Sequence, residues 1–179
     1  MMYKGANNIT LIGMPGSGKS TIGVLLAKCL SLDFIDTDLL IQKRHGRVLQ
    51  DIVDKLGYLK LREFEEETIL SLCVSNTVIA TGGSAVYSEK TMHHLRKNSR
   101  IIFLRVEKET LLRRIDNFET RGLAKAASQS FDELFFERTL LYEEYGELVI
   151  DCDKKGQEEI LREIIVALHD APTLRLPSF

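Results

Sequence analysis

The chain has 179 residues, 44% of them hydrophobic and 28% charged, which suits one globular domain with a sizeable core and excludes global disorder. Lys and Arg number 24 against 26 Asp and Glu, so the net charge of -2 disfavours a general nucleic-acid binder yet leaves room for a local cationic pocket. Cys29, Cys73 and Cys152 are odd in number, widely spaced and without a CxxC pair, so they read as reduced thiols rather than a disulfide framework.

The first eight residues are short and polar, unlike a signal peptide, and no apolar run approaches the ~20 residues of a membrane helix. A cytoplasmic chain without a membrane partner is expected. In chain order, strands are predicted at 9–12, 33–35, 77–80, 100–104 and 148–150. All are rich in Ile, Val, Leu and Phe and apolar on both faces, as buried parallel strands are. Helices are predicted between them at 19–30, 39–56 with a break near Gly46, 59–74, 88–97, 107–116, 131–144 and 156–169. The last carries Ile160, Ile164 and Leu168 on one stripe. This alternation predicts an α/β domain over 1–171, a five-stranded parallel sheet with helices on both faces. The stretch 117–130 is small, polar and weakly periodic, and it reads as a mobile lid; 172–179 reads as a C-terminal tail.

Between the first strand and the first helix lies Gly13-Met14-Pro15-Gly16-Ser17-Gly18-Lys19-Ser20-Thr21, which satisfies GxxxxGK[ST]. Glycines let such a loop curl its N–H groups toward phosphate oxygens, and the helix that follows aims its positive end at the same anion. Lys19 can reach the β- and γ-phosphates of a nucleoside triphosphate, and Ser20 is placed to ligate Mg²⁺. The second strand ends in Asp36-Thr37-Asp38, two carboxylates at the sheet edge where the phosphate loop also lies. Asp36 could hold Mg²⁺, and Asp38 could accept a proton from a substrate hydroxyl; the alternative, which the neighbouring phosphate loop disfavours, is a pair of solvated acids that cap the next helix.

The late Asp151-Cys152-Asp153-Lys154 does not match the guanine reader of GTPases, and 179 residues leave no room for the subdomains of a large ATPase. Small-molecule and nucleotide kinases remain. Downstream follow Gly57-Tyr58-Leu59-Lys60-Leu61-Arg62-Glu63-Phe64-Glu65, Ala80-Thr81-Gly82-Gly83-Ser84, Thr120-Arg121-Gly122-Leu123 and Glu137-Arg138-Thr139-Leu140-Leu141-Tyr142. Taken in order, these segments resemble the shikimate kinases, whose pattern is GxxGxGKST, DxD, GExxFRxxE, GGG, RPLL and RxxLY. The resemblance runs from about residue 8 to 169.

The resemblance implies a three-layer P-loop kinase fold that phosphorylates a hydroxyl of shikimate with ATP and Mg²⁺. It implies that Gly16, Ser17, Gly18, Lys19, Ser20 and Thr21 bind the ATP phosphates, with Ser20 and Asp36 serving Mg²⁺. Asp38 would favour attack of the acceptor hydroxyl on the γ-phosphate. Arg62 and Arg138 would grip the acceptor carboxylate, which two planar guanidinium groups suit. Gly82 and Gly83 would let backbone approach the acceptor ring. Arg121 would lie over the phosphates from the lid, and Arg114 with 153–155 would lie near adenine. On residues alone, Arg62 with Glu65 and Glu66 at helical spacing reads equally well as a surface ion pair.

Four positions leave the pattern: Tyr58 for Glu, Leu61 for Phe, Ser84 for the third glycine and Gly122 for the lid proline. They gather around the acceptor rather than the nucleotide, and Ser84 adds a hydroxyl near the acceptor's expected path. Two alternatives therefore stay open, a kinase of another small hydroxylated carboxylic acid and a non-catalytic ATP-binding module. An adenylate-type nucleotide kinase ranks lower, because 117–130 carries a single arginine. A monomer acting on a small molecule is expected.

Overall fold

A computed structural model describes residues 7–114, 123–126 and 128–170. Strands β1 (Asn8–Ile12), β2 (Asp33–Asp36), β3 (Thr77–Ala80), β4 (Ser99–Arg105) and β5 (Leu148–Asp151) form one wholly parallel sheet in the order β2-β3-β1-β4-β5. The two-sided apolar reading holds where the sheet is central: every residue of β1 and β3 is buried. Around the sheet run α1 (Lys19–Leu30), α2 (Thr37–His45), α3 (Leu49–Leu56), α4 (Tyr58–Leu70), α5 (Glu89–Asn98), α6 (Lys108–Arg114), α7 (Phe131–Tyr145) and α8 (Gln157–Asp170). Helices α1 and α8 pack on each other, while α4 and α5 pack together and α5 and α7 reach β4. A short 3-10 turn, Ala85–Tyr87, joins β3 to α5 and touches α4, α5 and α7. None of the described helices is long and apolar enough to cross a membrane.

The predicted break near Gly46 is real, since Gly46 takes a left-handed φ of 61° after α2 and α3 starts at Leu49. Most boundaries lie within a residue of expectation, and two larger differences have a clear cause. Helix α2 begins at Thr37 rather than 39, because the Asp36 carboxylate accepts from the backbone N–H groups of Asp38 (3.0 Å) and Leu39 (3.4 Å) and so caps it. Helix α4 ends at Leu70 rather than 74, and its apolar pattern continues because Leu72 and Val74 pack on the main core as non-helical chain. There the Asn8 amide donates to the Val74 carbonyl and its oxygen accepts from the Thr77 N–H. All three cysteines are free thiols.

The main core surrounds the sheet, and a second, smaller one joins Ile41, Ile52, Leu61, Phe64 and Ala124 beside α2, α3 and α4. Parallel strands put all their C-terminal ends on one edge, and β1 is the strand at which the chain changes direction across the sheet. The cleft outside such an edge is where ligands bind in open parallel sheets. The loops after β1, β2 and β3 all open onto it.

Candidate active site

A cavity of about 700 Å³ opens at that edge, within the size range of small-molecule sites. One wall is the loop after β1. Gly18 takes φ 96° at the N-terminus of α1, a left-handed conformation that costs a side-chain-bearing residue energy. No side chain caps α1, so its first N–H groups stay open to an anion. Lys19, 8% exposed, folds its ammonium into the loop and donates to the carbonyls of Gly13 (2.7 Å) and Met14 (2.9 Å). The Ser17 hydroxyl is buried with no hydrogen-bond partner. An orphaned hydroxyl, an uncapped helix start and an inward ammonium form a cradle that fits a polyphosphate. Gly16, Gly18, Lys19, Ser20 and Thr21 all line the cavity, as does Arg114. Arg114 donates to the Cys152 carbonyl at 3.5 Å, which sets it beside the 153–155 segment.

The Ser20 hydroxyl donates to Asp36 at 2.6 Å. The helix-capping reading of the DxD pair is thus correct for Asp36, and the same carboxylate turns its other oxygen to Ser20. A hydroxyl and a carboxylate at the phosphate cradle are the oxygen donors that Mg²⁺ takes in such sites. Asp38 lies on the first turn of α2, half-buried, and lines the cavity.

The opposite wall is built from α4, α7 and the Gly82-Gly83-Ser84 turn. Arg138 is 1% exposed, yet it lines the cavity and donates to the Ala124 carbonyl at 3.0 Å. Arg62 donates to the same carbonyl at 3.1 Å. Arg62 does not itself line the cavity; it stands behind Ala124, with its Nε buried and unpartnered. Two guanidinium groups from separate helices therefore converge on one oxygen. Gly83 presses on this wall, since a Cβ there would meet Arg138 Nη1 and Pro15 Cδ, each at 2.9 Å. Its carbonyl accepts from the Tyr142 hydroxyl at 2.6 Å. Arg121, Gly122 and half of the predicted lid lie outside the described residues.

The residue that sequence reasoning missed is Glu65. It was a candidate surface partner for Arg62, but it is 3% exposed, faces the cavity and accepts a hydrogen bond from the Ser84 hydroxyl. Ser84 is itself 4% exposed, so the hydroxyl added in place of glycine turns to Glu65. The signal was present in the family pattern GExxFRxxE, whose last glutamate is Glu65, but helical spacing alone also suits an exposed ion pair. Tyr58, in place of that pattern's first glutamate, brings its ring to 5.1 Å from the Arg62 guanidinium. Leu61 is buried in the smaller core and touches the cavity.

Burial, and next the neighbouring Asp38 carboxylate, push the Glu65 carboxyl up to about 7, while the Ser84 hydrogen bond and the Arg138 charge pull it the other way. A raised carboxyl gives a signed expectation. Below about pH 4.5 the group is neutral in both folded and unfolded chains; between there and pH 7 the unfolded chain ionises first. Stability therefore falls as pH rises through that window, by about 3 kcal/mol for this group. Glu65→Gln, which keeps an oxygen for Ser84, should flatten the change. Urea unfolding at pH 5 and pH 8 measures it, and an identical loss in wild type and variant rejects the assignment.

Comparison with known proteins follows the same lines. The shikimate kinase family model matches residues 15–169. A shikimate kinase of Paracidovorax citrulli is 36% identical over 176 residues, covering 96% of each chain. One from Sulfurihydrogenibium sp. is 34% identical over 162 residues, covering 90% of this chain and 97% of its own. Among solved structures, a shikimate kinase from Acinetobacter baumannii in complex with shikimate superposes with a TM-score of 0.86 at 25% identity, covering 96% of this chain and 97% of that one. The Aquifex aeolicus shikimate kinase gives 0.79 at 32% identity, over 90% and 96%.

Proposed function

The chain belongs to the shikimate kinase family, and from that premise we propose how its own residues divide the reaction. The enzyme transfers the γ-phosphoryl group of ATP to a hydroxyl of shikimate, giving shikimate 3-phosphate and ADP in the route to aromatic amino acids. ATP and Mg²⁺ are its cofactors. Mg²⁺, when bound, neutralises phosphate charge that would otherwise repel the incoming oxygen.

The backbone of Gly16, Ser17, Gly18 and Thr21, with the Lys19 ammonium, holds the phosphates; the Ser20 hydroxyl and Asp36 hold the metal. Arg114 and 153–155 border the adenine. Arg62 and Arg138 grip the acceptor carboxylate, which takes over the two guanidinium donors that meet at the Ala124 oxygen. Gly82 and Gly83 give the ring room, and Asp38 orients the acceptor hydroxyl and accepts its proton. Arg121, from the lid at 117–130, neutralises charge on the transferring group. Exclusion of water as the lid closes limits wasteful ATP hydrolysis. A monomeric, single-domain enzyme of the cytoplasm, without nucleic-acid or membrane partners, completes the proposal.

The observation that carries the acceptor assignment is the convergence of Arg62 and Arg138 on one oxygen, at 3.1 and 3.0 Å, beside the Asp38 and Glu65 carboxylates. A coupled ADP-release assay with purified protein, ATP and Mg²⁺ tests it. Turnover that depends on shikimate is expected. No turnover with shikimate, but turnover with another hydroxylated carboxylic acid, would leave the chemistry standing and remove the acceptor.

A further inference from the structure

The turn Ala85–Tyr87 plays no part in the reaction as described, yet it sits between the two helices that supply the guanidinium groups. It is pinned to α4 at both ends. Ser84, just before it, donates to Glu65, and Ser88, just after it, donates to Glu66 at 2.6 Å. These two acids are adjacent on α4 and lie one helical turn beyond Arg62. The pinned turn therefore delivers the Tyr87 ring onto Arg62, with the guanidinium carbon 3.6 Å from the ring centroid. Arg138, from α7, brings its guanidinium carbon to 5.4 Å from the same centroid, and its Nε donates to the Tyr87 hydroxyl at 3.4 Å.

One aromatic side chain thus touches both guanidinium groups, by its face to the first and by face and hydroxyl to the second. Stacking fixes the plane of a guanidinium, and the plane decides whether its paired N–H groups meet a carboxylate in register. Among the described residues, Arg62 is otherwise held by one hydrogen bond from Nη2 to a backbone carbonyl and by the more distant Tyr58 ring at 5.1 Å, and its Nε has no partner, so the Tyr87 ring is its nearer aromatic contact. We propose that Tyr87 is a positioning residue for the acceptor carboxylate, holding Arg62 and Arg138 in the orientation that binds it. This rests on the assignment of Arg62 and Arg138 as the carboxylate grip.

Steady-state kinetics at saturating ATP test it with Tyr87→Phe, which keeps the stack and loses the hydroxyl, and Tyr87→Leu, which loses both. The KM for shikimate should rise about 2- to 3-fold in the first and ~10-fold or more in the second, with the KM for ATP unchanged. Replacing the shikimate carboxylate by its primary amide should remove most of the difference between variants and wild type, an effect that loss of packing alone would not produce. If Tyr87→Leu does not fold, Tyr87→Phe decides alone, and an unchanged shikimate KM rejects the proposal. Equal rises for shikimate, its amide and ATP also reject it. Arg62→Lys and Arg138→Lys separate the two levels. If they raise the shikimate KM while the Tyr87 variants do not, only the role of Tyr87 fails; if they leave it unchanged, the carboxylate grip fails and the Tyr87 proposal with it.

Discussion

Asp38→Asn should lower shikimate-dependent turnover by about 10³-fold, or about 4 kcal/mol, while ATP binding stays at the wild-type level. Asn has the size of Asp but no basic oxygen to take the acceptor proton. The start of α2 survives the exchange, because the cap acts through the backbone N–H of residue 38 and the carboxylate of Asp36. The phosphate cradle survives too, since Lys19 bonds within its own loop and Ser20 bonds to Asp36. A loss confined to turnover is what a proton acceptor predicts. The same exchange removes the negative neighbour that raises the Glu65 carboxyl, so that group should titrate lower in the variant. Coupled ADP release, ATP titration and urea unfolding between pH 5 and 8 read the three consequences on one protein. Wild-type turnover in the variant would remove Asp38 from the chemistry. A chain that only binds ATP would show no shikimate-dependent turnover to lose.

What could be read from residues alone separates along a physical line. The central strands were legible because burial on both faces demands continuous apolar runs, and β1 and β3 are fully buried; the expectation of two buried faces fails at the edge strands β2 and β5, which lack a neighbour on one side and are only partly buried. The phosphate loop was legible because its chemistry is local: backbone N–H groups, a lysine and a hydroxyl within nine consecutive residues. Asp36 could be read either as a helix cap or as a metal holder with Ser20, and the structure shows one oxygen capping α2 while the other accepts from Ser20. Of the wall proposed to hold the acceptor, Arg62 and Arg138 were named only through family resemblance, and Glu65 and Tyr87 were given no role. Arg62, Glu65, Ser84, Tyr87 and Arg138 come from α4, the turn after β3 and α7, and no local period links those three segments. Helical spacing set Glu65 against Arg62 as a surface pair; the tertiary structure instead brings Ser84 onto Glu65 and Tyr87 onto Arg62. The end of α4 was misread for a related reason. Leu72 and Val74 continue the apolar pattern because the core accepts them as extended chain, and only the distant Asn8 shows where their backbone hydrogen bonds go.

The Gly82-Gly83-Ser84 turn offers the sharpest test of how closely this wall is fitted. A Cβ at Gly82 would overlap Glu65 Oε1 and lie 2.7 Å from Asp38 Oδ1, both inside the closest approach that real side chains make. The Gly82 N–H is meanwhile fixed to the Thr37 hydroxyl at 3.0 Å, so the backbone has little freedom to retreat. Gly82 is not among the glycines with positive φ, so alanine meets no conformational penalty there, and the whole cost comes from the displaced carboxylates. Glu65 is held by Ser84 and Asp38 by its place in α2, and a shift of about 1 Å at Asp38, the group proposed to orient the acceptor hydroxyl, costs ~10²-fold in rate. Gly82→Ala should therefore lower kcat/KM for shikimate by at least ~10²-fold, about 3 kcal/mol, with ATP affinity preserved. Gly46→Ala is the matched control. No atom lies within 4 Å of a Cβ at Gly46, but its φ of 61° makes alanine costly by about 1 kcal/mol of stability. The two variants should thus fail in opposite ways, one in activity and one in unfolding free energy. Shortening the obstructing side chain should partly reverse the first: Gly82→Ala with Glu65→Asp recovers kcat/KM relative to Gly82→Ala alone if crowding of the carboxylate is the cause. No recovery would place the damage in the turn itself, away from the two acids.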